Sequence, residues 1–404
     1  MKVLLGVTGG IAAYKALELV RLFVKGGHEV QVVMTEGAKA FIQPLSFQAL
    51  SGHPVRDQLF DETQEAGMGH IELARWPDVI LVAPCSAETL AKLRMGRADD
   101  LLTTLCLASD KPKILAPAMN RLMWQNEATQ ENLAVLQQRG WQVIPPGEGE
   151  QACGETGAGR LPEPPAIYAA VEQRVADITK NAQAWTELAK RWQGKRLLVS
   201  AGPTQEAMDP VRFLGNRSSG KMGFAIAETA RELGADVTLV AGPVALSAHP
   251  EIRRVDVVSA QEMLAAVTEQ VTSQDVFISA AAVADFRPET AHDRKLKKQA
   301  GQDDMTLRLV KNPDIVATVA QQYPDVFVVG FAAETDDVLA HAREKRARKG
   351  LDMICANRVG DGLGFETDDN QLTLMTEAQE RTLTPSSKSQ QAFELLAFIA
   401  EASF

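Results

Sequence analysis

The chain has 404 residues, 45% hydrophobic and 23% charged, a composition that excludes a disordered or fibrous protein. A formal net charge of −10 excludes a general nucleic-acid binder, so any anionic ligand must be met by local basic clusters. The four cysteines, Cys85, Cys106, Cys153 and Cys355, lack zinc or disulfide-framework spacing and suit a reducing cytoplasm, and the N-terminal MKVLLGVTGG lacks the features of a secretory leader or membrane span.

Lys2 to Thr8 reads as a buried strand. Thr8-Gly9-Gly10 turns it into a helix from Ile11 to about Lys25, with Leu17, Val20 and Val24 on one face. His28 to Thr35, Asp78 to Pro84, Lys113 to Pro117 and Gln142 to Pro145 read as further strands separated by helices. Such alternation implies a parallel sheet covered on both faces, with ligands at the carboxyl ends of its strands. The turn from Gly6 to Gly10 is not G-x-G-x-x-G, and no isolated ribose-binding acid stands out near Met34-Thr35-Glu36, which weakens a dinucleotide reading. Thr8, Gly9 and Gly10 can wrap one phosphate, as of FMN, or simply make a tight turn.

Three later stretches carry chemistry. His70 follows Gly67-Met68-Gly69 and is a candidate base, with a surface histidine or a cap as the plain alternative. Asn120, in Pro117 to Trp124, falls at the ligand edge of the sheet, where its amide can grip a carboxylate. Gln151 to Arg160 is glycine-rich without apolar periodicity and reads as a mobile flap. A cysteine on a flap is a poor core residue, so Cys153 reads as functional, whereas Cys85, Cys106 and Cys355 read as inert packing. Pro162, Pro164 and Pro165 end the flap, and Ile167 to about Ile178 reads as helical. Hydrophobic density then falls from about Thr179 to Gly194, apart from Trp185 and Trp192 as packing anchors. The boundary is placed there, giving domains 1–190 and 191–404.

The pattern restarts with a strand from Leu197 to Ala201. Pro203, Pro210 and Gly215 forbid regular structure until Ser218-Ser219, which can cap a helix from Gly220 to about Leu233. A strand, a polar glycine-rich loop and a helix start can hold an anion on backbone N–H groups. Gly215 to Met222 reads G-x-x-x-x-G-K-M, and Met222 cannot supply the magnesium-binding hydroxyl of a phosphate-loop NTPase. Asn216, Ser218 and Ser219 suit a nucleotide or acyl phosphate, or else form a polar connector with a helix cap. Asp236 to Ala241, Val255 to Val258, Val276 to Ala282 and Val328 to Ala333 read as strands, with a helix near Ala260 to Thr272. Ala280 to Ala282 leave room for a ligand faced by Asp285. Arg294 to Lys298 is dense with charge, either a solvated face or an anion site. Asn312 reads as an N-cap with Pro313 at the first helical position. The strand from Val328 ends in Phe331 to Thr335. Lys345, Arg346, Arg348 and Lys349 close a helix, Lys345 and Lys349 sharing a face, which also suits the helix dipole. Together these cations can neutralise a triphosphate. From Gln371 an alternating hairpin and a helix of about Ser389 to Ala402 complete the chain.

Pro117 to Trp124 matches the PxMNxxMW motif of flavin-dependent cysteine decarboxylases. Pro84 to Thr89, PCSAET, resembles their PASANT motif, with Cys85 and Glu88 departing from it, and His70 and Cys153 fall in GHI and ACG contexts. Over nearly all its length the chain resembles the bifunctional bacterial phosphopantothenoylcysteine decarboxylase/phosphopantothenate–cysteine ligases of coenzyme A biosynthesis. The resemblance implies two three-layer α/β domains, a flavodoxin-like flavin domain followed by a Rossmann-like ligase domain. It implies FMN contacted by Thr8, Gly9, Gly10, Thr35, Ser86, Ala87 and Met119. In the implied decarboxylation, oxidation of the substrate thiol turns the carboxylate into a leaving group. His70 assists the oxidation, Asn120 binds the carboxylate and Cys153 donates a proton to the enethiolate.

For the second domain the resemblance implies ligation of L-cysteine to 4′-phosphopantothenate through an acyl-cytidylate, with CTP and Mg2+. Lys295, Lys345 and Lys349 contact phosphates. Ser279, Ala280, Ala281, Asp285, Pro313, Asp314, Ile315, Val316 and Phe331 read cytosine and ribose. Asn216 steadies the intermediate with Arg212 nearby. The expected assembly is a cytoplasmic homo-oligomer, a dodecamer of trimers and dimers, without nucleic-acid or membrane partners. Two other readings compete. A nicotinamide-dependent oxidoreductase is opposed by the missing G-x-G-x-x-G and by the basic cluster. A flavoprotein regulatory subunit is opposed by the trio of His70, Asn120 and Cys153.

Overall fold

The computed structural model describes residues 1–60, 69–296, 305–334, 338–358 and 369–404, and divides into the units Met1–Asn181 and Ala182–Phe404. Gly67 and Met68 before His70, Lys297 and Lys298 of the basic run, and Thr335 lie outside the described residues.

In the first unit, β1 (Lys2–Val7), β2 (Glu29–Met34), β3 (Val79–Cys85), β4 (Lys113–Pro117) and β5 (Gln142–Val143) form one sheet ordered β2-β1-β3-β4-β5. Every pair is parallel. β3 is buried along its whole length and β1 from Val3 onward, as strands covered on both faces must be. This is the flavodoxin-like order, and its direction reverses between β1 and β3. The chain leaves β1 through a single 3-10 turn, Ile11–Tyr14, before the α-helix Lys15–Lys25 begins. That helix buries Ala16, Leu19, Val20 and Phe23. The expected face of Leu17, Val20 and Val24 is therefore rotated, and Val24 stands exposed, because Phe23 and Leu19 offer more apolar area to the sheet. The glycine-rich flap forms an antiparallel hairpin of β6 (Gly147–Glu150) and β7 (Thr156–Arg160).

The helix expected to end near Ile178 runs from Pro164 to Trp192. Loss of apolar residues does not end it, since its second half is rich in Ala, Glu, Lys and Gln, all good helix formers. Thr186 Oγ1 donates to Ala182 O at 2.9 Å, and Glu187 pairs with Lys190 at 2.6 Å along its surface.

The second unit contains β8 (Arg196–Ala201), β9 (Gln205–Ala207), β10 (Phe213–Gly215), β11 (Asp236–Ala241), β12 (Arg253–Asp256), β13 (Val276–Ser279), β14 (Phe286–Pro288), β15 (Leu309–Lys311), β16 (Phe327–Glu334), β17 (Met353–Arg358), β18 (Asp369–Asn370), β19 (Leu372–Met375), β20 (Glu380–Thr382) and β21 (Ser386–Ser387). The main sheet is ordered β12-β11-β8-β13-β16-β17-β19-β20. It is parallel from β12 to β17, and β19 and β20 add an antiparallel edge. The six parallel strands follow Rossmann order, reversing between β8 and β13.

Three local expectations differ from the structure. Pro203, Pro210 and Gly215 do not keep the connector irregular, because β9 and β10 pair as a short antiparallel ribbon. Neither Ser218 nor Ser219 caps the following helix, Lys221–Glu232; Gly220 at φ 74° takes the N-cap position, a left-handed conformation that favours glycine. Ser218 Oγ accepts from Gly220 N–H at 3.3 Å. Asn312 is not a cap either, since the helix Ile315–Gln322 is capped by Asp314, whose side chain accepts from Ala317 N–H. Trp192 is fully buried and donates from Nε1 to Leu396 O at 3.1 Å, while Trp185 stacks on Phe393 with centroids 5.2 Å apart.

Gly223 brings the helix Lys221–Glu232 against β8, where an added Cβ would lie 2.5 Å from Ala201 Cβ. At an open helix site Gly→Ala stabilises by roughly 0.5–1 kcal/mol. Here the clash dominates, and Gly223→Ala is expected to cost about 1–3 kcal/mol in urea unfolding. Unchanged or increased stability would show that this close approach is absent.

Candidate functional sites

The loops that follow β1 and β3 meet where the strand order reverses. Thr8 is fully buried and joins them: Oγ1 donates to Pro84 O at 2.8 Å and accepts from Ser86 N–H at 2.8 Å. Ser86 then caps the helix Ala87–Met95, its side chain accepting from Thr89 N–H. Beside this junction lies a cavity of about 470 Å³, within the range of small-ligand sites. Gly9, Gly10, Ser86, Ala87, Met119, Asn120 and Cys153 all line it, so seven expected residues converge. Among the described residues, nothing stands within 4 Å of where a Gly10 Cβ would be, which leaves that backbone open.

Three expected residues stand outside that lining. Thr8 acts from behind it as the buried bridge. Thr35 caps the short helix Glu36–Lys39 by accepting from Ala38 N–H. His70 begins the helix His70–Arg75. Glu88, which departs from the decarboxylase motif, is exposed and does not line the cavity.

The hairpin of β6 and β7 is fixed to the turn after β4 by one side chain. Gln151 accepts at Oε1 from Arg121 N–H at 3.0 Å and donates from Nε2 to Met119 O at 3.2 Å. Gly159, at φ 139°, passes so close that an added Cβ would stand 2.3 Å from Met119 O, and Met119 N–H donates to Gly159 O at 2.9 Å. Asn120 Nδ2 is thereby brought within 3.6 Å of Cys153 Sγ and 2.8 Å of Glu155 Oε2. Its Oδ1 accepts from Leu122 N–H, so the amide has a fixed orientation with its donor aimed at the hairpin tip. Cys153 is the exposed thiol of the four cysteines. Burial pushes the Cys106 thiol up to about 12 and raises those of Cys85 and Cys355 as well, which fits packing roles.

In the second unit a cleft of about 160 Å³ is lined by Ser279, Ala281, Asp285, Pro313, Asp314, Ile315, Val316, Phe331, Lys345 and Lys349. Ten of the twelve expected nucleotide contacts therefore converge. Ala280 and Lys295 stand outside the lining; Lys295 is exposed. Sequence reasoning missed Val283, Ala284, Lys311 and Asn312 as lining. Asn312 is buried and donates from Nδ2 to Ala284 O at 2.8 Å, so it holds the cleft's two loops together. Lys349 Nζ meets Asp314 Oδ2 at 2.8 Å, and Lys345 Nζ donates to Phe331 O at 3.2 Å. Burial alone would raise the Asp314 carboxyl, but the bonds from Lys349 and Ala317 N–H hold it below the usual carboxylate range.

The loop after β8 wraps this cleft. Thr204, fully buried, accepts at Oγ1 from Ala284 N–H at 3.0 Å. Asn216 donates from Nδ2 to Val283 O at 3.0 Å. Arg212 forks onto Asp209 Oδ2, at 3.0 Å from Nε and 2.6 Å from Nη2, and donates to Leu296 O at 3.0 Å. Arg212 thus stands beside the segment that carries Lys295. No group of three or more His, Cys, Asp or Glu that could hold a metal occurs among the described residues.

Arg212, with the N–H groups of Val211 and Leu296, holds the Asp209 carboxyl far below the usual range. A carboxyl whose folded value is depressed stabilises fully above its unfolded value and loses that contribution as pH falls toward the folded one. Asp209→Asn is therefore expected to lower Tm at neutral pH, with the gap to wild type narrowing as pH falls from about 4 to about 2. A gap constant over that interval would contradict the assigned ion pair.

Residues 192–402 match the family described as DNA/pantothenate metabolism flavoprotein C-terminal domain, and residues 1–176 match Flavoprotein. The chain is 52% identical, over 98% of its length and 96% of the relative's, to the "Coenzyme A biosynthesis bifunctional protein CoaBC" of Vibrio parahaemolyticus. The protein of the same name from Escherichia coli K12 is 49% identical over 95% of this chain and 92% of its own. Among solved structures, the C-terminal domain of a protein with that name is 40% identical, covering 52% of this chain and 96% of that one, with a TM-score of 0.45.

Proposed function

Because this chain belongs to the family of bifunctional coenzyme A biosynthesis proteins, we propose that each of its two strand-end sites performs one of the family's two reactions. The protein is an enzyme with phosphopantothenoylcysteine decarboxylase and phosphopantothenate–cysteine ligase activities, and its first module is a flavoprotein. The decarboxylase domain is assigned to residues 1–190 and the ligase domain to 191–404. The observation that carries the assignment is the meeting of Asn120 and Cys153 at 3.6 Å on the wall of the first cavity.

The flavin is assigned as FMN. The open Gly10 backbone and the capped start of the helix Ala87–Met95 fit its single phosphate. When bound, FMN supplies the electron acceptance and return that make loss of carbon dioxide feasible. The chain's own groups do the rest. Asn120 Nδ2 passes from Glu155 to the substrate carboxylate and orients it. Cys153 Sγ holds the proton that the enethiolate takes up. Gln151 keeps both in register by tying the hairpin to the turn after β4. His70 is assigned to the oxidation step, and Thr8, Thr35 and Met119 to flavin binding.

In the ligase cleft, the nucleotide is assigned as CTP. The carboxylate of 4′-phosphopantothenate attacks the α-phosphorus, pyrophosphate leaves, and the cysteine amine then displaces CMP from the acyl-cytidylate. Lys345 and Lys349 neutralise phosphate charge, with Lys295 from the neighbouring loop. Asp285, Asp314 and Phe331, with Ser279 to Ala281 and Pro313 to Val316, read the nucleoside. Asn216 steadies the acyl-cytidylate and Arg212 the substrate. Magnesium is assigned as a companion of the nucleotide, since triphosphate and water supply most of its ligands, and no described cluster fits a resident ion. A cytoplasmic homo-oligomer, a dodecamer of trimers and dimers, completes the reading. Among the described residues no helix is long and apolar enough to cross a membrane.

Replacing Cys153 with Ser separates the two activities. Carbon dioxide release is expected to fall about a hundredfold or more, the scale of a lost general acid. Pyrophosphate release from CTP, dependent on 4′-phosphopantothenate, is expected to continue. Loss of both activities together, or undiminished decarboxylation, would overturn the division.

A further inference from the structure

Two cations on the wall of the first cavity have no part in the chemistry above. Lys15 opens the helix Lys15–Lys25, and Arg160 ends β7. Both line the cavity, where Glu150 is the one carboxylate among the described lining residues. Lys15 is nearly buried, its side chain 13% exposed, yet its partner Glu163 is 67% exposed. Lys15 Nζ lies 2.8 Å from Glu163 Oε1, and Arg160 Nη2 lies 3.9 Å from the same oxygen. The bond from Lys15 holds the Glu163 carboxyl below its usual range. Arg160, its side chain 43% exposed, passes over the hairpin, where a Cβ on Gly149 would stand 2.9 Å from its Nη1.

An ion pair whose carboxylate is as exposed as that of Glu163 is a weak one, and it yields readily to a stronger anion. One oxygen of Glu163 serves two cations from two different elements, which is the geometry a multi-oxygen anion would satisfy better. A phosphate monoester offers three oxygens and nearly two charges to a lysine and a guanidinium fork. We propose that Lys15 and Arg160 form the subsite for the phosphate monoester of the acyl-cysteine substrate, which displaces Glu163 from them. The proposal rests on the decarboxylase reading of this cavity. The flavin also carries a phosphate, which is assigned to the open Gly10 backbone and the helix start at Ala87. Arg160, in contrast, belongs to the hairpin that presents Cys153, so a phosphate held there fixes the substrate relative to its proton donor. Lys15 and Arg160 are thus specificity-determining residues.

The test uses the full chain reconstituted with FMN, and compares phosphopantothenoylcysteine with its dephosphorylated analogue. Variants are Lys15→Gln, Arg160→Gln and both together. Wild type is expected to favour the phosphorylated substrate, chiefly through KM. Each variant is expected to reduce that preference about tenfold or more, the scale of one charge-assisted hydrogen bond, with kcat little changed. FMN affinity, read by quenching of flavin fluorescence, is expected to stay at the wild-type value. Weakened FMN binding with the preference intact would assign these cations to the flavin phosphate and overturn the proposal. A wild-type chain that decarboxylates both compounds with equal KM would overturn the subsite while leaving the decarboxylase reading standing. A wild-type chain that decarboxylates neither would remove that reading and the subsite with it.

Discussion

A buried threonine spans the point of strand reversal in each unit, and both sites depend on that bridge. Where neighbouring strands send their connections to opposite faces of a sheet, the loops part and leave a crevice. Thr8 closes the back of the first crevice by bonding Pro84 O and Ser86 N–H. Thr204 closes the second by accepting from Ala284 N–H. Each threonine is fully buried, and its hydroxyl pairs with backbone groups of the diverging loops. These bonds tie the loops at the floor of each crevice, and the ligand-facing groups are set in front of it.

What stands in front differs, and the difference sets the chemistry. The first crevice presents an exposed thiol and an oriented amide, held there by Gln151 and by the close passage of Gly159 against Met119, with Lys15, Arg160 and Glu150 also on its wall. A thiol beside an oriented amide suits proton transfer to a substrate whose carboxylate the amide holds. The second presents Lys345 and Lys349 among small side chains, with Asp314 and a backbone carbonyl occupying the two ammonium groups. An incoming polyphosphate would exchange these partners for stronger ones, which suits nucleotidyl transfer. In a chain of net charge −10 this local inversion of sign is itself informative.

The repeating strand–helix grammar and the two cradles were legible because they depend on local signals. Continuous apolar runs marked β1, β3, β8 and β13, and the PxMNxxMW and ACG stretches placed Asn120 and Cys153. What escaped depends on partners distant in sequence. Asn312 looks like a cap beside Pro313, yet it is drawn into the interior by Ala284, 28 residues earlier. Nothing local announced that Arg212 also forks onto Asp209 and reaches Leu296 O, 84 residues away. The helix Pro164–Trp192 outlasts its apolar stripe because propensity and surface pairs sustain it. The ribbon of β9 and β10 forms despite flanking prolines, since each strand is only three residues long and escapes them. Lys15 carried no motif and Arg160 only closed the glycine-rich stretch; the cavity wall and the shared Glu163 oxygen bring them together.

The account stands on two crevices that each take their own ligand. Hydrogen exchange of the full chain, followed by mass spectrometry with FMN alone and with CTP alone, tests this most directly. FMN is predicted to slow exchange at residues 9–10, 86–87 and 151–153, and CTP at residues 279–285, 311–316 and 345–349. Protection of the Thr8–Ser86 loops by CTP, or of the Thr204–Ala284 loops by FMN, would contradict it.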